Sequence, residues 1–330
     1  MLRVGAIDCG TNSIRLLIAD IALAEGAAPV VTDVLREMEI VRLGYGVDRT
    51  GTIDPAAMQR TLAVAERYAR TCEDLGCEGV RFTATSASRD ASNATEFIEG
   101  VRAAFSHFGI APEVITGLEE AELSFTGATG DVVAAGYPGP FLVCDIGGGS
   151  TELVRGEATP IGSRVLQSHS ANIGCVRMTE RHLATDPPTA SEVAAATADI
   201  ETAIDQIAEH VDLEGIGTLV GLAGSVTTLT AHALGLDAYD PARIHLADLA
   251  PERIAAASAE LLAMAHDERA ALGFMHPGRV DVIGAGGLVW ERVVARVLAA
   301  SPGIDVVTSE HDILDGIALS VARRLAGWSR

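Results

Sequence analysis

The 330-residue chain contains no lysine: all 24 of its basic residues are arginine, set against 45 acidic ones, for a net charge of −21 at pH 7. This excludes every chemistry built on a lysine, including the P-loop, Schiff bases and protein-kinase catalysis. It also leaves no basic face for nucleic acid, so no nucleic-acid partner is expected. Compositional bias explains such an absence on background usage. Whatever its origin, any bound anion must be held by arginine, backbone amides or a metal. Aromatics are only 4% of the chain, too few for a stacking platform; Trp290 and Trp328 fall in expected amphipathic helices as packing residues. No apolar run reaches the ~18 residues that span a bilayer, and the first residues run straight into a strand with no signal-peptide core. A soluble, cytoplasmic protein without a membrane partner is expected. The five cysteines (Cys9, Cys72, Cys77, Cys144 and Cys175) are scattered and odd in number. They read as small buried hydrophobes in a reducing compartment. Cys72 and Cys77 lack a companion pair or a histidine cluster, and no HExxH spacing occurs, so no structural metal is expected.

What is present reads as an α/β protein. At this length two domains are the better expectation. Residues 4–8 and 13–20 form two apolar strands around the turn Cys9-Gly10-Thr11-Asn12, with a third extended stretch over 30–41. Asp54-Pro55 is an N-cap with proline at the first helical position. The helix it opens runs to Gly76 with Met58, Leu62, Ala65, Ala69, Cys72 and Leu75 on one face. A buried strand over 80–84 follows. A second cycle starts at Phe141, with strands over 141–145 and 151–155 around Ile146-Gly147-Gly148-Gly149-Ser150. Asp8 and Asp145 lie 137 positions apart (145 less 8), and each ends an apolar strand ahead of glycine and hydroxyl residues. The inference is two similar α/β domains facing each other across a cleft. Later helices are expected after the capping box Thr189…Glu192 and near 251–265, 287–300 and 312–326.

Three glycine elements carry the chemistry. The amides of Gly147-Gly148-Gly149-Ser150 can approach an oxyanion closely because glycine has no side chain in the way, and Asp145 stands where a carboxylate could hold hydrated Mg²⁺ against that anion. Such a turn is often only a hairpin; the matching turn Asp8-x-Gly10-Thr11-Asn12-Ser13 raises the functional reading. Gly221 to Ser225, with Gly224 and Ser225 opening a helix over 226–233, repeats a strand–glycine turn–helix arrangement suited to phosphate. Thr116-x-x-Glu119 is a capping box, so Glu119 has a structural task in which its carboxylate reaches back to the cap amide; Glu120 has none of that kind. Arg89 ends a hydroxyl-rich run, Thr85-Ser86-Ala87-Ser88, in a loop, where a forked guanidinium would suit phosphate. Arg15 and Arg42 are further candidates, Arg15 with a structural role in the second strand.

In this order the segments 6–16, 83–89 with Asn93, 117–122, 145–153, 174–177 and 221–225 resemble the exopolyphosphatase/guanosine pentaphosphate phosphatase (Ppx/GppA) family, within the superfamily of actin, Hsp70 and sugar kinases. The resemblance implies two actin-like, ribonuclease H-like domains: residues 1–125 with the C-terminal segment 307–330, and residues 126–306. It implies a hydrolase of the terminal phosphoanhydride of inorganic polyphosphate, dependent on Mg²⁺ or Mn²⁺; the acidic, arginine-poor exterior adds an expected preference for short chains. Glu120 would be the base, with Asp145 and Glu152 also catalytic. Asp145, Glu152 and Asp8 would serve the metal. Gly10, Thr11, Asn12, Ser13, Arg89, Gly147, Gly148, Gly149, Ser150, Gly224 and Ser225 would hold phosphate. Guanosine pentaphosphate is the alternative substrate, a non-catalytic phosphate sensor the alternative role, and a homodimer the expected assembly. Sugar kinases and chaperone ATPases lack the Glu-Glu-Ala element found here at 119–121. Two features depart from the family. Many members continue into further helical domains, whereas this sequence ends after the actin-like pair, which argues against a preference for very long polymers. Where the family has Arg-Glu-Gly, Leu314-Asp315-Gly316 leaves the C-terminal helix without its usual charges.

Overall fold

The computed structural model describes residues 1–328; Ser329 and Arg330, the end of the expected first domain, lie outside the described residues. The chain divides into two compact units: Met1–Gly127 with Pro160–Gly162 and the stretch from Ile313, and Ala128–Thr159 with Ser163–Asp312. Among the described residues each unit is organised on one five-stranded sheet. Unit 1 holds β1 (Leu2–Cys9), β2 (Ser13–Ala22), β3 (Val30–Ile40), β4 (Gly79–Ala84) and β5 (Glu113–Val114), in the order β3-β2-β1-β4-β5. β1, β2 and β3 are antiparallel, and β4 and β5 continue the sheet in parallel. Unit 2 holds β6 (Phe141–Ile146), β7 (Thr151–Thr159), β8 (Gly162–Ala171), β9 (Thr218–Leu222) and β10 (Asp305–Thr308), in the order β10-β9-β6-β7-β8. Renumbered from its own first strand, this is the same order. The weak sequence repeat therefore marks a repeated topology.

The near-continuous apolar runs of β1 and β2 arise because both faces of this sheet are covered. Ile7, Cys9, Ile14, Leu16 and Ile18 point into one layer with Tyr68 and Phe82, against the helix Pro55–Asp74. Val4, Ala6, Leu17, Ala19 and Ile21 point into the other, against Ile317, Ala318 and Val321 of the helix Ile313–Leu325. Strand alternation puts Asp8 and Arg15 on this second face, at the ends of their strands. In unit 2, Leu142, Cys144 and Ile146 face a core built with Ile200, Ile254 and Trp290. The capping box at Thr189 is formed, with Glu192 reaching back to the Thr189 amide, and opens the helix Ala190–Ala208. The later helices run Pro251–Ala263, Ile283–Ala300 and Ile313–Leu325. Residues Ser86–Asp90, expected as loop, form a short helix. Trp328 lies beyond the last helix and is exposed, so it is not a packing residue. Among the described residues no helix is long and apolar enough to cross a membrane.

The C-terminal helix is not short of charge. Asp315 is buried and accepts a fork from Arg36 of β3, Nη2 to Oδ1 at 2.6 Å and Nη1 to Oδ2 at 3.2 Å. The family's charged step is met by a pair whose partner comes from a distant strand, which local sequence could not disclose. Gly316 beside it permits backbone contact with Leu123: a Cβ there would lie 2.0 Å from the Leu123 carbonyl oxygen. Because that obstacle is backbone, Gly316→Ala should destabilise the fold by about 1–3 kcal/mol or more, read as a lowered midpoint in thermal or urea unfolding.

Candidate active site

In unit 1 the turn after β1 is closed by Gly10 N–H donating to the Ser13 carbonyl at 2.9 Å. The carbonyls that would otherwise crowd its open side are tied off. Thr11 O accepts from Gly44 N–H at 2.9 Å, and Asn12 O accepts from the amides of Val41 at 3.0 Å and Arg42 at 2.9 Å. Arg42 adopts φ +51° to do so. Gly44 has to be glycine, since a Cβ would sit 2.4 Å from Thr11 Cγ2. The Thr11 hydroxyl is 3.0 Å from that of Ser86, which brings the hydroxyl-rich run beside the turn. The buried Ser88 hydroxyl has no hydrogen-bond partner among the described residues. Asp8 pairs with Arg15 directly across the strands, Oδ2 accepting from Nη2 at 2.7 Å and Nε at 3.1 Å. Arg15 is thus the structural counter-charge of Asp8.

Glu120 lies in the first turn of the helix Gly117–Ala134, 8% exposed. Arg89 Nη1 donates to its Oε2 at 2.7 Å and to the Ile115 carbonyl at 2.9 Å. The guanidinium expected to meet phosphate therefore also fixes the direction of the Glu120 carboxylate, a charge-assisted bond that spacing along the chain does not show. Glu119 N–H donates to Thr116 Oγ1 at 3.2 Å, so the cap exists, and the Glu119 carboxylate accepts from Arg81. Arg81 also donates to Glu113 Oε2 and to Ser320. The two adjacent glutamates thus face different cations.

Unit 2 repeats the turn at the same offset: Gly147 N–H donates to the Ser150 carbonyl at 3.0 Å. Here the N-terminus of the helix Cys175–His182 takes the loop carbonyls. Cys175 N–H donates to Gly147 O at 2.9 Å, Val176 and Arg177 N–H to Gly148 O at 2.9 and 3.1 Å, and Gly174 N–H to Gly149 O at 3.2 Å. Arg177 Nε adds a bond to Gly149 O at 2.7 Å. With the carbonyls held on one side, the loop amides point to the other. This contact requires glycine at 174, where a Cβ would fall 2.3 Å from the carbonyl carbon and oxygen of Gly148.

Asp145 and Glu152 are cross-strand partners in β6 and β7, at the positions Asp8 and Arg15 occupy in unit 1. Opposite residues of an antiparallel pair share a face with Cβ atoms about 5 Å apart, and like charges there are destabilising. Both are buried, 8% and 1% exposed, and Glu152 Oε1 accepts from Ser170 Oγ at 2.6 Å. Two buried carboxylates on one face are hard oxygen donors that suit Mg²⁺. The charge of Asp8 is offset by Arg15 instead.

The third glycine element joins this loop. Ala223 adopts φ +66°, rare for a residue with a side chain, at a cost of about 1–3 kcal/mol that marks functional turns. It starts the helix Ala223–Ala233, and the Ser225 and Cys175 side chains meet beside Gly286, where a Cβ would lie 2.2 Å from Ser225 Oγ and 3.2 Å from Cys175 Cβ. Gly224 lies under the guanidinium of Arg279, whose Cζ would be 2.5 Å from a Cβ there; Arg279 Nη1 donates to Thr228 Oγ1 at 3.0 Å. Sequence reasoning does not reach Arg279 and gives Arg177, within the matching segment 174–177, no role, because no spacing links residue 279 to 224 or residue 177 to the glycine loop. The structure thus gathers Gly147 to Ser150, Gly224, Ser225, Arg177 and Arg279 in unit 2, and Asp8 to Ser13, Arg89 and Glu120 in unit 1.

Two sheets of one repeated order, each with a glycine turn after its first strand, define a two-domain actin-like fold. Residues 19–321 match the Ppx/GppA phosphatase family, and the chain belongs to it. It is 50% identical over 329 residues to Exopolyphosphatase 2 of Mycobacterium tuberculosis, covering 98% of this chain and 99% of that protein. The crystal structure of an exopolyphosphatase-like protein superposes with a TM-score of 0.90 at 42% identity, covering 98% of this chain and 100% of that one. The Ppx-GppA enzyme of Aquifex aeolicus gives 0.75 at 29% identity, over 97% and 99% of the two chains.

Glu310 extends the polar cluster in unit 2. Its Oε1 accepts from the Tyr239 hydroxyl at 2.7 Å, which also lies 2.8 Å from Thr227 Oγ1. Burial raises the Glu310 carboxyl above its ordinary value, although Tyr239 and Arg279 oppose the shift. A carboxyl raised on folding contributes stability below its unfolded pKa, and that contribution is lost as pH rises through the folded value. Glu310→Gln should therefore match the wild type in stability near pH 4 and gain on it as the pH approaches 7, as parallel thermal scans would show.

Proposed function

We propose that this protein is an exopolyphosphatase, which hydrolyses the terminal phosphoanhydride of inorganic polyphosphate and releases orthophosphate. The observation that carries the reading is the glycine loop Gly147 to Ser150, its carbonyls tied to a helix terminus, beside the buried cross-strand carboxylates Asp145 and Glu152. The 50% identity to an exopolyphosphatase over nearly the whole chain supports the choice of substrate.

Phosphoryl transfer asks a protein chiefly for position and for neutralisation of charge on the transferring oxygens. The remaining amides of the two turns, Thr11 to Ser13 and Gly148 to Ser150, and those of Gly224 and Ser225 bind phosphate oxygens. Arg279 and Arg89, the latter also orienting Glu120, supply the positive charge that lysine would supply elsewhere. Asp145 and Glu152 would hold Mg²⁺ or Mn²⁺, with Asp8 nearer to a supporting part. Bound there, the metal offsets charge on the phosphate oxygens. Glu120 accepts the proton of the attacking water; oxygen bonds to the terminal phosphorus, and the bond to the bridging oxygen breaks.

Short chains are the favoured substrates. Arginine is absent from 103–154 and 182–242, and the net charge is −21, so phosphates beyond the arginine contacts meet repulsion without compensation. At physiological salt this field decays over about 8 Å, which lets the local arginines act on the chain end. The test is colorimetric orthophosphate release from polyphosphates of a defined length series, with guanosine pentaphosphate alongside and each assay repeated in excess EDTA. Release from polyphosphate that EDTA abolishes, with kcat/KM level or falling as chains lengthen, is the expected result. Turnover of guanosine pentaphosphate alone overturns the substrate, and full turnover in EDTA overturns the metal. A steady rise with chain length, with processive products, would mean an extended track such as a dimer could build.

The two glutamates separate in the same assay. Glu120→Gln should lower kcat by roughly 10²–10⁴ with little loss of stability. Glu119→Ala should keep kcat and cost on the order of 1 kcal/mol through Arg81, which retains Glu113. Reversed outcomes would exchange their roles.

A further inference from the structure

The helix Pro55–Asp74 ends in a Schellman motif. Leu75 caps it and Gly76 follows at φ +71°. Gly76 N–H donates to the Glu73 carbonyl at 3.0 Å, and Cys77 N–H reaches back to that of Cys72 at 2.9 Å. This geometry presses together the side chains of the two residues joined by the longer bond, most often as an apolar contact. Here both are cysteine. Both sulfurs lie over Gly5 of β1, where a Cβ would be 2.9 Å from Cys72 Sγ and 3.6 Å from Cys77 Sγ, so a residue without a side chain makes room for the pair.

The two thiols differ. Cys72 is fully buried, whereas Cys77 is half-buried at the start of the link to β4. Arg3 is clamped by Asp20 through two bonds of 2.8 Å, and its Nη1 donates to the Leu75 carbonyl at 3.2 Å. The neighbouring Cys72 thiol, with help from the Arg3 charge, holds the Cys77 thiol below its ordinary value against burial and Asp20. The Cys77 thiol, with burial, pushes Cys72 well up. Cys9, Cys144 and Cys175 are buried with raised thiols, which makes them poor nucleophiles.

We propose that Cys72 and Cys77 are an oxidisable dithiol, a modification site at which a small hydroperoxide makes a reversible disulfide. The Cys77 thiolate attacks the peroxide, the O–O bond breaks, and Cys77 becomes the sulfenic acid as water or an alcohol leaves with a proton. The Cys72 sulfur then attacks the sulfenic sulfur; the S–S bond forms, and hydroxide departs with the Cys72 proton as a second water. Two electrons pass from the two thiols to the peroxide, which is the oxidant.

With no lysine in the chain, trypsin leaves both cysteines in one peptide, residues 71–81, between Arg70 and the cut after Arg81. The native full-length chain is treated with hydrogen peroxide, denatured, alkylated and mapped without reductant. Peptide 71–81 should be lighter by two hydrogens and carry no alkyl group, then take two after dithiothreitol, while Cys9, Cys144 and Cys175 remain alkylatable. Cys72→Ala should leave Cys77 as a sulfenic acid trapped by dimedone, and Cys77→Ala should leave Cys72 a thiol. Peptide 71–81 keeping two alkylatable thiols at peroxide levels that oxidise glutathione, or Cys77 passing to the sulfinic acid with no disulfide, overturns the proposal on the wild-type chain alone.

Discussion

In unit 2 a single helix terminus accounts for the whole shape of the glycine loop. The carbonyls of Gly147, Gly148 and Gly149 all accept from residues 174–177, an approach so close that residue 174 cannot carry a side chain. A peptide whose carbonyl is fixed on one side shows its amide on the other, so the direction of the loop amides is dictated from behind. The same helix start sends Cys175 to Ser225, and Ser225 is followed in its helix by Thr228, which Arg279 binds. Loop, third glycine element and arginine are therefore held in one arrangement, and the positive φ at Ala223 is a strain the arrangement sustains.

Unit 1 solves the same problem with different parts. Its turn carbonyls are taken by the non-helical segment 41–44 instead of a helix, and Gly44 plays the part of Gly174. The repeated strand order makes the two halves comparable position by position, and at one such position they diverge in charge. Asp8 faces Arg15, whereas Asp145 faces Glu152. One strand pair is electrically complete; the other concentrates negative charge in a buried place. The topology is shared by the two halves, but the charge across this strand pair is not.

The arginine-only composition shapes both halves. Arg15, Arg36, Arg81 and Arg89 each hold a carboxylate in unit 1, three of them through more than one bond. A planar guanidinium can bind a carboxylate and a carbonyl at once, as Arg89 does with Glu120 and Ile115, where an ammonium would serve as a point charge.

The strands, the repeat, the capped helices at 55 and 190 and the three glycine turns were legible in the sequence, because local rules govern them: period-two burial, caps within one turn, and glycine where backbone must come close. Contacts between residues far apart in the chain were not. Arg36 with Asp315, Arg89 with Glu120, Arg279 over Gly224 and Cys72 against Cys77 depend on which elements the sheets and helix ends bring together, and no spacing encodes that. Sequence alone determined that Asp145 and Glu152 flank a phosphate-suited turn in a Ppx/GppA-like pattern. Only the tertiary structure decided that they face each other across two strands while Asp8 faces an arginine, since it is cross-strand register that brings residues seven apart in the chain side by side on one face.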